Sequence, residues 1–357
     1  MRAAVAVAQS ATDPIAGLVV QDMPEPEVPE GWVKVRVRAA SLNPHDLWTL
    51  RGVGHPAERI PMILGCDGVG ELDGRRVLLH GVIGDPDAGG GDETLDPRRE
   101  ILSEVHPGTF AEYIAVPRRN VVDLPDGLSF EEAACLPVAW GTAYRMLTTR
   151  AGVRAGQAVL VQGASGGVSA ASIWIAKALG ARVYATARTP EKRAYALAMG
   201  ADAAFETGAR LPERVDVVVD TVGEATWSHS LRALRPGGTV VLCGATTGGS
   251  PDPELQRVFY LQLKIVGSTM CTLDELKGLL ALIDEKGPLP EELIDRVVPL
   301  EEIRDGFEAL ASGEHLGKIV VRLPLASEMD AVAGFAAARA GTSLAGSIAE
   351  ARAEGRR

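Results

Sequence analysis

Apolar and charged residues alternate along Gly31–Ala40 (GWVKVRVRAA), the period of a strand with one buried face. Gly108–Pro117 (GTFAEYIAVP) repeats that pattern and ends on proline. Between them, Gly84–Glu100 is rich in Gly, Pro and Asp and is expected to be a mobile surface loop. From about Ser129 the period changes. Phe130–Arg150 has helical spacing interrupted near Pro137, whose ring and missing N–H disturb a helix. Gln157–Thr189 then reads as strand, glycine-rich turn, helix and strand. Short apolar strands follow within Val215–Gly223, Gly237–Gly248 and Leu263–Met270. Strands alternating with helices predict right-handed βαβ units and a parallel sheet covered on both faces. Leu273–Lys286 reads as a helix, and a further structured stretch is expected over Asp305–Leu323. Ala326–Arg357 is alanine-rich, with Met329, Val332 and Phe335 spaced for one helical face; the pattern suits a docked helix or a loose tail.

At 357 residues the chain has room for two domains and a substantial core. Its net charge of −11 argues against non-specific nucleic-acid binding. No signal-peptide pattern and no bilayer-length apolar run is visible, so a cytoplasmic protein is expected, with no membrane partner. The four cysteines, Cys66, Cys135, Cys243 and Cys271, include no Cys-x-x-Cys pair, which excludes a closed four-cysteine zinc site and suits reduced, mostly buried thiols.

Gly163, Gly166 and Gly167 lie in VLVQGASGGVSAAS, between an apolar strand and an amphipathic helix. A dinucleotide needs small residues there. The turn is tight, and backbone N–H groups must approach the pyrophosphate at the helix N-terminus. A glycine triplet alone is weak evidence and also suits a plain structural turn, but this one has the required strand–turn–helix–strand context. Ser169 is small where helix must pack on strand. At the end of the next strand, VYATARTPEK offers no acidic residue for an NAD ribose. It offers Arg188 and Lys192, which suit a 2′-phosphate and so NADPH, although a solvated surface charge is the plainer reading of Arg188.

The chain resembles the medium-chain dehydrogenase/reductase superfamily, in its quinone-oxidoreductase-like, zinc-independent branch. The resemblance covers about Met1–Leu323 and rests on AASLNPHDLWTLRG, ILGCDGVGEL, GTFAEYIAVP, LPVAWGTAYRML, GASGGVSAASIWIAKALGARV, DTVGEATWSHSLRALRPGGTVVLCGATTG and HLGKIVVRL, in that order and spacing. It implies an α/β fold: a GroES-like β-rich catalytic domain over 1–125, completed by 269–325, and a doubly wound parallel-sheet Rossmann domain over 126–268. Residues 326–357 fall outside it as a tail or extra helix. Zinc-dependent relatives place ligands where this chain has Asn43, Cys66 and Val138, so no metal is expected. His45 and Asp46 are the residues that could rebuild a site, as the alternative of a zinc-dependent alcohol or aldehyde dehydrogenase requires. The segment GELDGRRVLLHGV is compressed relative to the family.

The resemblance also assigns roles. Asn43 is expected near the nicotinamide ribose or substrate, and Asp46 to anchor its loop, paired with Arg51. Thr142 is expected on the nicotinamide phosphate side, and Gly163, Ser165, Gly166, Gly167 and Val168 along the pyrophosphate. Arg188 and Lys192 would hold the 2′-phosphate, Gly244, Ala245 and Thr246 would run beside the nicotinamide, and Phe259 and Lys318 would close the cleft. Family members usually pair through the edge of the Rossmann sheet, here LKIVGSTM, so a homodimer is expected.

Without a Lewis acid, alcohol oxidation is disfavoured. Hydride transfer to a quinone or an α,β-unsaturated carbonyl is easier, because the substrate's own carbonyl spreads the developing charge. The expected substrate is therefore a small molecule of that class, with NADPH as the donor. Asn43, His45 and Asp67 are the candidate catalytic residues, and Cys66 is a further possible proton donor; each also has a plain structural reading. Trp48 and Trp140 are candidates for an aromatic substrate wall, or for core. A non-catalytic NADPH-binding protein is the remaining class.

Overall fold

The computed structural model describes residues Met1–Pro324, of which Met1–Leu323 form one compact unit. The expected tail, 326–357, lies outside the described residues.

The strand period of Gly31–Ala40 becomes the ten-residue strand Trp32–Ser41, central to a seven-stranded sheet. Val33, Val35 and Val37 turn inward while the charges between them face out. Asp67–Leu72 pairs antiparallel along one edge of this strand, Ser41 opposite Asp67. The late strand Lys318–Arg322 pairs antiparallel along the other, Val320 opposite Ser41. Residues more than 250 apart in sequence are thereby brought together at one strand end, where the candidate site forms. The compressed GELDGRRVLLHGV is a tight hairpin of Asp67–Leu72 and Arg75–Leu79, with Asp73 and Gly74 at φ 51° and 76°, the paired positive φ values of a two-residue hairpin turn.

The second sheet has six parallel strands, in the order Ala203–Phe205, Arg182–Thr186, Ala158–Val161, Val215–Asp220, Leu234–Leu242, Lys264–Gly267. That order reverses direction between Ala158–Val161 and Val215–Asp220. Such a reversal opens a crevice at the carboxyl ends of the strands. The strands read as continuous apolar runs because helices cover both faces. The helical stretch 130–150 is broken by wide π turns over Leu136–Trp140 and Met146–Arg150.

One expectation is refined here, one open alternative is settled and one expectation is corrected. Gly84–Glu100 lies at the surface as expected, but it has buried anchors: Glu93, Thr94 and Asp96 are buried in it. The Arg145 guanidinium, 3% exposed, bridges Asp92 at 2.5 Å and Glu275 at 2.9 Å, pinning the loop to the Leu273–Lys286 helix. Composition does not reveal this anchoring because it cannot report an ion pair with partners 53 and 130 residues away. Trp140 belongs to the core, fully buried with its ring 5.4 Å from that of Trp174. Arg51 is exposed and does not pair with Asp46; Asp46 instead closes a capping box with Asn43 at the start of the Pro44–Arg51 helix. Among the described residues, no helix is long and apolar enough to cross a membrane.

Candidate functional site

Asp67 is the hub of the site. It is fully buried at the start of its strand. Its Oδ2 accepts from the Ser41 hydroxyl at 2.7 Å, the Asn43 amide at 2.7 Å and the Lys318 ammonium at 3.2 Å. Its Oδ1 accepts the Val138 backbone N–H at 2.7 Å. The π turn around Val138 is what presents that N–H to a side chain rather than to its own helix. Lys318 donates besides to the Leu42 carbonyl at 2.8 Å and to Asn43 Oδ1 at 2.7 Å. The ammonium thus spends its three protons on three acceptors. Both Asp67 oxygens accept from fixed donors, one of them a cation, so the side chain ties Ser41, Asn43, Val138 and Lys318 together.

The same cluster touches the glycine-rich turn. A Cβ on Gly167 would lie 3.1 Å from Lys318 Cδ and 3.2 Å from Ala139 Cβ, so the lysine stem packs on the start of the Gly167–Ala178 helix. Gly163 has φ +66° and needs to be glycine. A Cβ on Gly166 would meet only the Gly163 carbonyl, at 3.9 Å, and no side chain caps this helix. The open backbone face, with uncapped N–H groups behind it, fits a dinucleotide pyrophosphate. Ser165 lies within the turn, and Val168 packs on the core from its first helical residues. Gly244, Ala245 and Thr246 follow the Leu234–Leu242 strand at the same carboxyl-terminal edge of the sheet. Thr142 is buried on the short helix Gly141–Arg145.

Arg188 is exposed just past the Arg182–Thr186 strand, with no carboxylate partner among the described residues. Lys192 sits on the following helix and donates to the Gly313 carbonyl at 2.6 Å. Its ammonium is held below its ordinary value by burial and by the neighbouring Arg188 charge. The Glu314 carboxylate offsets part of that effect on Lys192. Phe259 is 70% exposed on the Leu255–Tyr260 helix, which precedes the edge strand Lys264–Gly267.

On the other side of Asp67 lies a second group. His45 Nδ1 is 3.2 Å from Cys66 Sγ, and His45 Nε2 is 3.2 Å from Glu104 Oε1. The Cys66 sulfur is the largest influence holding the imidazole above its ordinary value; burial opposes it, and hydrogen bonds to Cys66 and Glu104 reinforce it. Burial pushes the Cys66 thiol up, with His45 opposing. Asp46, buried beneath, is pushed up to about 6 by desolvation. Its two oxygens accept the Asn43 N–H at 2.8 Å and the Gly65 N–H at 3.0 Å.

One donor atom each from His45, Asp46 and Cys66 lie within 4.8 Å of one another. A catalytic zinc takes three protein donors. Nδ1 and Sγ, 3.2 Å apart, are spaced as two ligands of one ion could be, but both Asp46 oxygens are held by backbone N–H groups, which leaves the trio one free donor short. At the positions where zinc-dependent proteins keep ligands, Asn43 has its amide engaged with Asp67 and Lys318, and Val138 has no donor atom.

Sequence reasoning singled out Asn43, His45, Asp67 and Lys318, and the structure gathers them. It missed Ser41 and Glu104. Ser41 was legible in principle as the end of a strand entering the motif. Glu104 lies 59 residues from its partner, in a stretch without pattern, and only the fold finds it.

Known proteins place this geometry in a family. Residues 29–126 match the model described as alcohol dehydrogenase GroES-like domain, and residues 167–285 match zinc-binding dehydrogenase. The chain is 32% identical to an acryloyl-coenzyme A reductase of Sulfurisphaera tokodaii, over 87% of this chain and 97% of that protein. It is 30% identical to an alcohol dehydrogenase of Geobacillus stearothermophilus, over 86% and 96%. The solved structure of an NAD-dependent alcohol dehydrogenase superposes with a TM-score of 0.84 at 35% identity, covering 91% of this chain and all of that one. The β-rich sheet is accordingly the GroES-like part and the parallel sheet the Rossmann part, and the chain belongs to the medium-chain dehydrogenase/reductase superfamily of oxidoreductases.

Proposed function

We propose that this protein is an NADPH-dependent reductase that delivers hydride to the β-carbon of an α,β-unsaturated carbonyl, or to a quinone, without a metal. The observation that carries the reading is the Asn43–Asp67–Lys318–Val138 cluster. It fills the place of a Lewis acid with a closed hydrogen-bonded hub. Such a site favours substrates whose own carbonyl spreads the charge formed on reduction. The acryloyl-coenzyme A reductase relative supports an enoyl thioester as the substrate class.

Bound NADPH supplies the hydride. The chain's residues do the rest. The turn Gly163–Val168 receives the pyrophosphate, and Arg188 with Lys192 the 2′-phosphate. Gly244, Ala245 and Thr246 border the nicotinamide, with Thr142 on its phosphate side. Lys318 holds the Asn43 side chain, the residue assigned a place near the nicotinamide ribose or substrate. The domain limits that suit this reading are 1–125 with 269–325 for catalysis and 126–268 for the cofactor. The exposed Ile265 on the edge strand, with exposed Phe259 and Tyr260 on the helix before it, supports a homodimer.

The test is NADPH and NADH oxidation by the purified chain with a panel of quinones, enones and enoyl thioesters, alongside elemental analysis. Turnover with NADPH and no stoichiometric zinc is expected. Zinc-dependent alcohol oxidation, or NADPH binding without turnover on any acceptor, overturns the reading.

A further inference from the structure

No acidic residue follows the Arg182–Thr186 strand, where an NAD ribose is usually held. The fold brings one there from the far end of the chain. The Lys192 ammonium donates to the Gly313 carbonyl at 2.6 Å, across 121 residues of sequence. Glu314 is the next residue along, attached to that carbonyl, and Lys192 feels its charge. Gly313 and Glu314 thereby border the corner that holds Arg188 and Lys192. Glu191 and Glu206, the acids on the Rossmann side of this corner, are already engaged. Glu206 pairs with Arg193 at 3.7 Å. Glu191 is held below its ordinary value by hydrogen bonds from its own N–H and from the Thr189 hydroxyl. Glu314 is exposed, and among the described residues no hydrogen bond or ion pair engages its carboxylate.

The segment that carries Glu314 is short and fixed. Gly313 ends the Ile303–Ser312 helix at φ +67°, a left-handed conformation that suits glycine. The Ser312 hydroxyl donates to the Ala309 carbonyl at 2.9 Å and accepts the Glu314 N–H at 3.2 Å. The Leu316 N–H donates to Asp295 Oδ1 at 2.8 Å. Two residues further on, Lys318 is buried in the Asp67 hub. The Glu314 backbone cannot swing away from Lys192 without breaking one of these ties.

We infer that Glu314 is a specificity-determining residue for the cofactor: its carboxylate accepts the adenosine ribose 2′-hydroxyl of NADH and repels the 2′-phosphate of NADPH, so that the chain prefers NADPH only modestly and keeps NADH as a second hydride donor. The inference rests on the cofactor placement proposed above. The two cofactors differ at this one ribose position. A hydroxyl donates a hydrogen bond to a carboxylate, whereas a phosphate brings acceptor oxygens and about two negative charges. Arg188 and Lys192 favour the phosphate. Glu314 opposes it and favours the hydroxyl. Lys192 is also shared, because one of its three protons goes to the Gly313 carbonyl.

The experiment titrates the full chain and its Glu314→Gln, Glu314→Lys and Arg188→Ala variants with NADPH and with NADH, read by fluorescence. In Glu314→Gln, NADPH should bind about threefold tighter, the effect of one exposed charge. NADH should bind about fivefold weaker, the difference between a charged and a neutral acceptor. Glu314→Lys should extend both changes in the same directions. Adenosine 2′,5′-bisphosphate and AMP, which carry only this end of the cofactors, should reproduce the opposite shifts as competitors. About 0.5 M NaCl should shrink the NADPH difference between Glu314→Gln and wild type, because exposed charges are screened. A general loss of negative charge, or a change in the shape of the turn, would move both cofactors the same way. Shifts of the same sign for both, or no shift, in Glu314→Gln overturn this inference alone when Arg188→Ala weakens NADPH. An Arg188→Ala protein that binds NADPH as the wild type does overturns it together with the proposed cofactor placement.

Discussion

Replacing Lys318 with methionine tests the hub. Methionine keeps most of the stem that packs on Gly167 and removes the ammonium. The structure then leaves the Asp67 carboxylate buried without its cation, and the Leu42 carbonyl and Asn43 Oδ1 each short of a donor. Breaking one side of a buried pair costs about 3–5 kcal/mol. Asp67 keeps Ser41, Asn43 and Val138 as donors, so the lower end, about 3 kcal/mol, is expected. Urea unfolding followed by far-UV circular dichroism should show the midpoint fall by about 1 M or more. The pair is buried, its side chains 5% and 0% exposed, so 1 M NaCl should leave the difference in place. Adding Asp67→Asn to Lys318→Met should recover part of the loss, because it removes the stranded charge. A loss below about 1 kcal/mol, the value of an exposed pair, or a double variant less stable than Lys318→Met by the full single-site cost of Asp67→Asn, would refute the reasoning.

Arg145→Met should destabilise by about 3 kcal/mol, since it strands Asp92 and Glu275; hydrogen exchange should rise across 84–100, where an unaffected loop would contradict the pinning role. Arg188→Ala should weaken NADPH about 10- to 100-fold, one to two charge-assisted bonds, and leave NADH unchanged, as read by fluorescence titration. For His45, the folded value lies above the unfolded one. Its contribution to stability is therefore fully present below pH 6.5 and is lost as pH rises through the raised folded value. The stability gap between wild type and His45→Gln should narrow over that interval, and a gap that widens with pH would reverse the sign of the argument.

Local chemistry decided much of this protein. The valine alternation of 31–40 made a strand because only one face could be buried. The capping residues Thr272 and Glu275 start the Leu273–Lys286 helix where the pattern begins. Gly163, Gly166 and Gly167 could be assigned to a phosphate turn because backbone conformation and close approach depend on the residue type itself. Arg188 and the missing acid beside it were legible for the same reason.

Tertiary structure decided what depends on distance in space. Asp67 is a carboxylate beside a cysteine in sequence, and nothing local says what it meets. Lys318, 251 residues away, reaches it as a buried partner at 3.2 Å. The loop 84–100 looks polar and loose until Arg145 gathers Asp92 to Glu275. Glu104 has no motif at all. Strand pairing joins residues far apart along the chain, and burial then amplifies charges that water would have screened. The sequence therefore determined the elements and the cofactor turn, and the fold alone decided which charges meet.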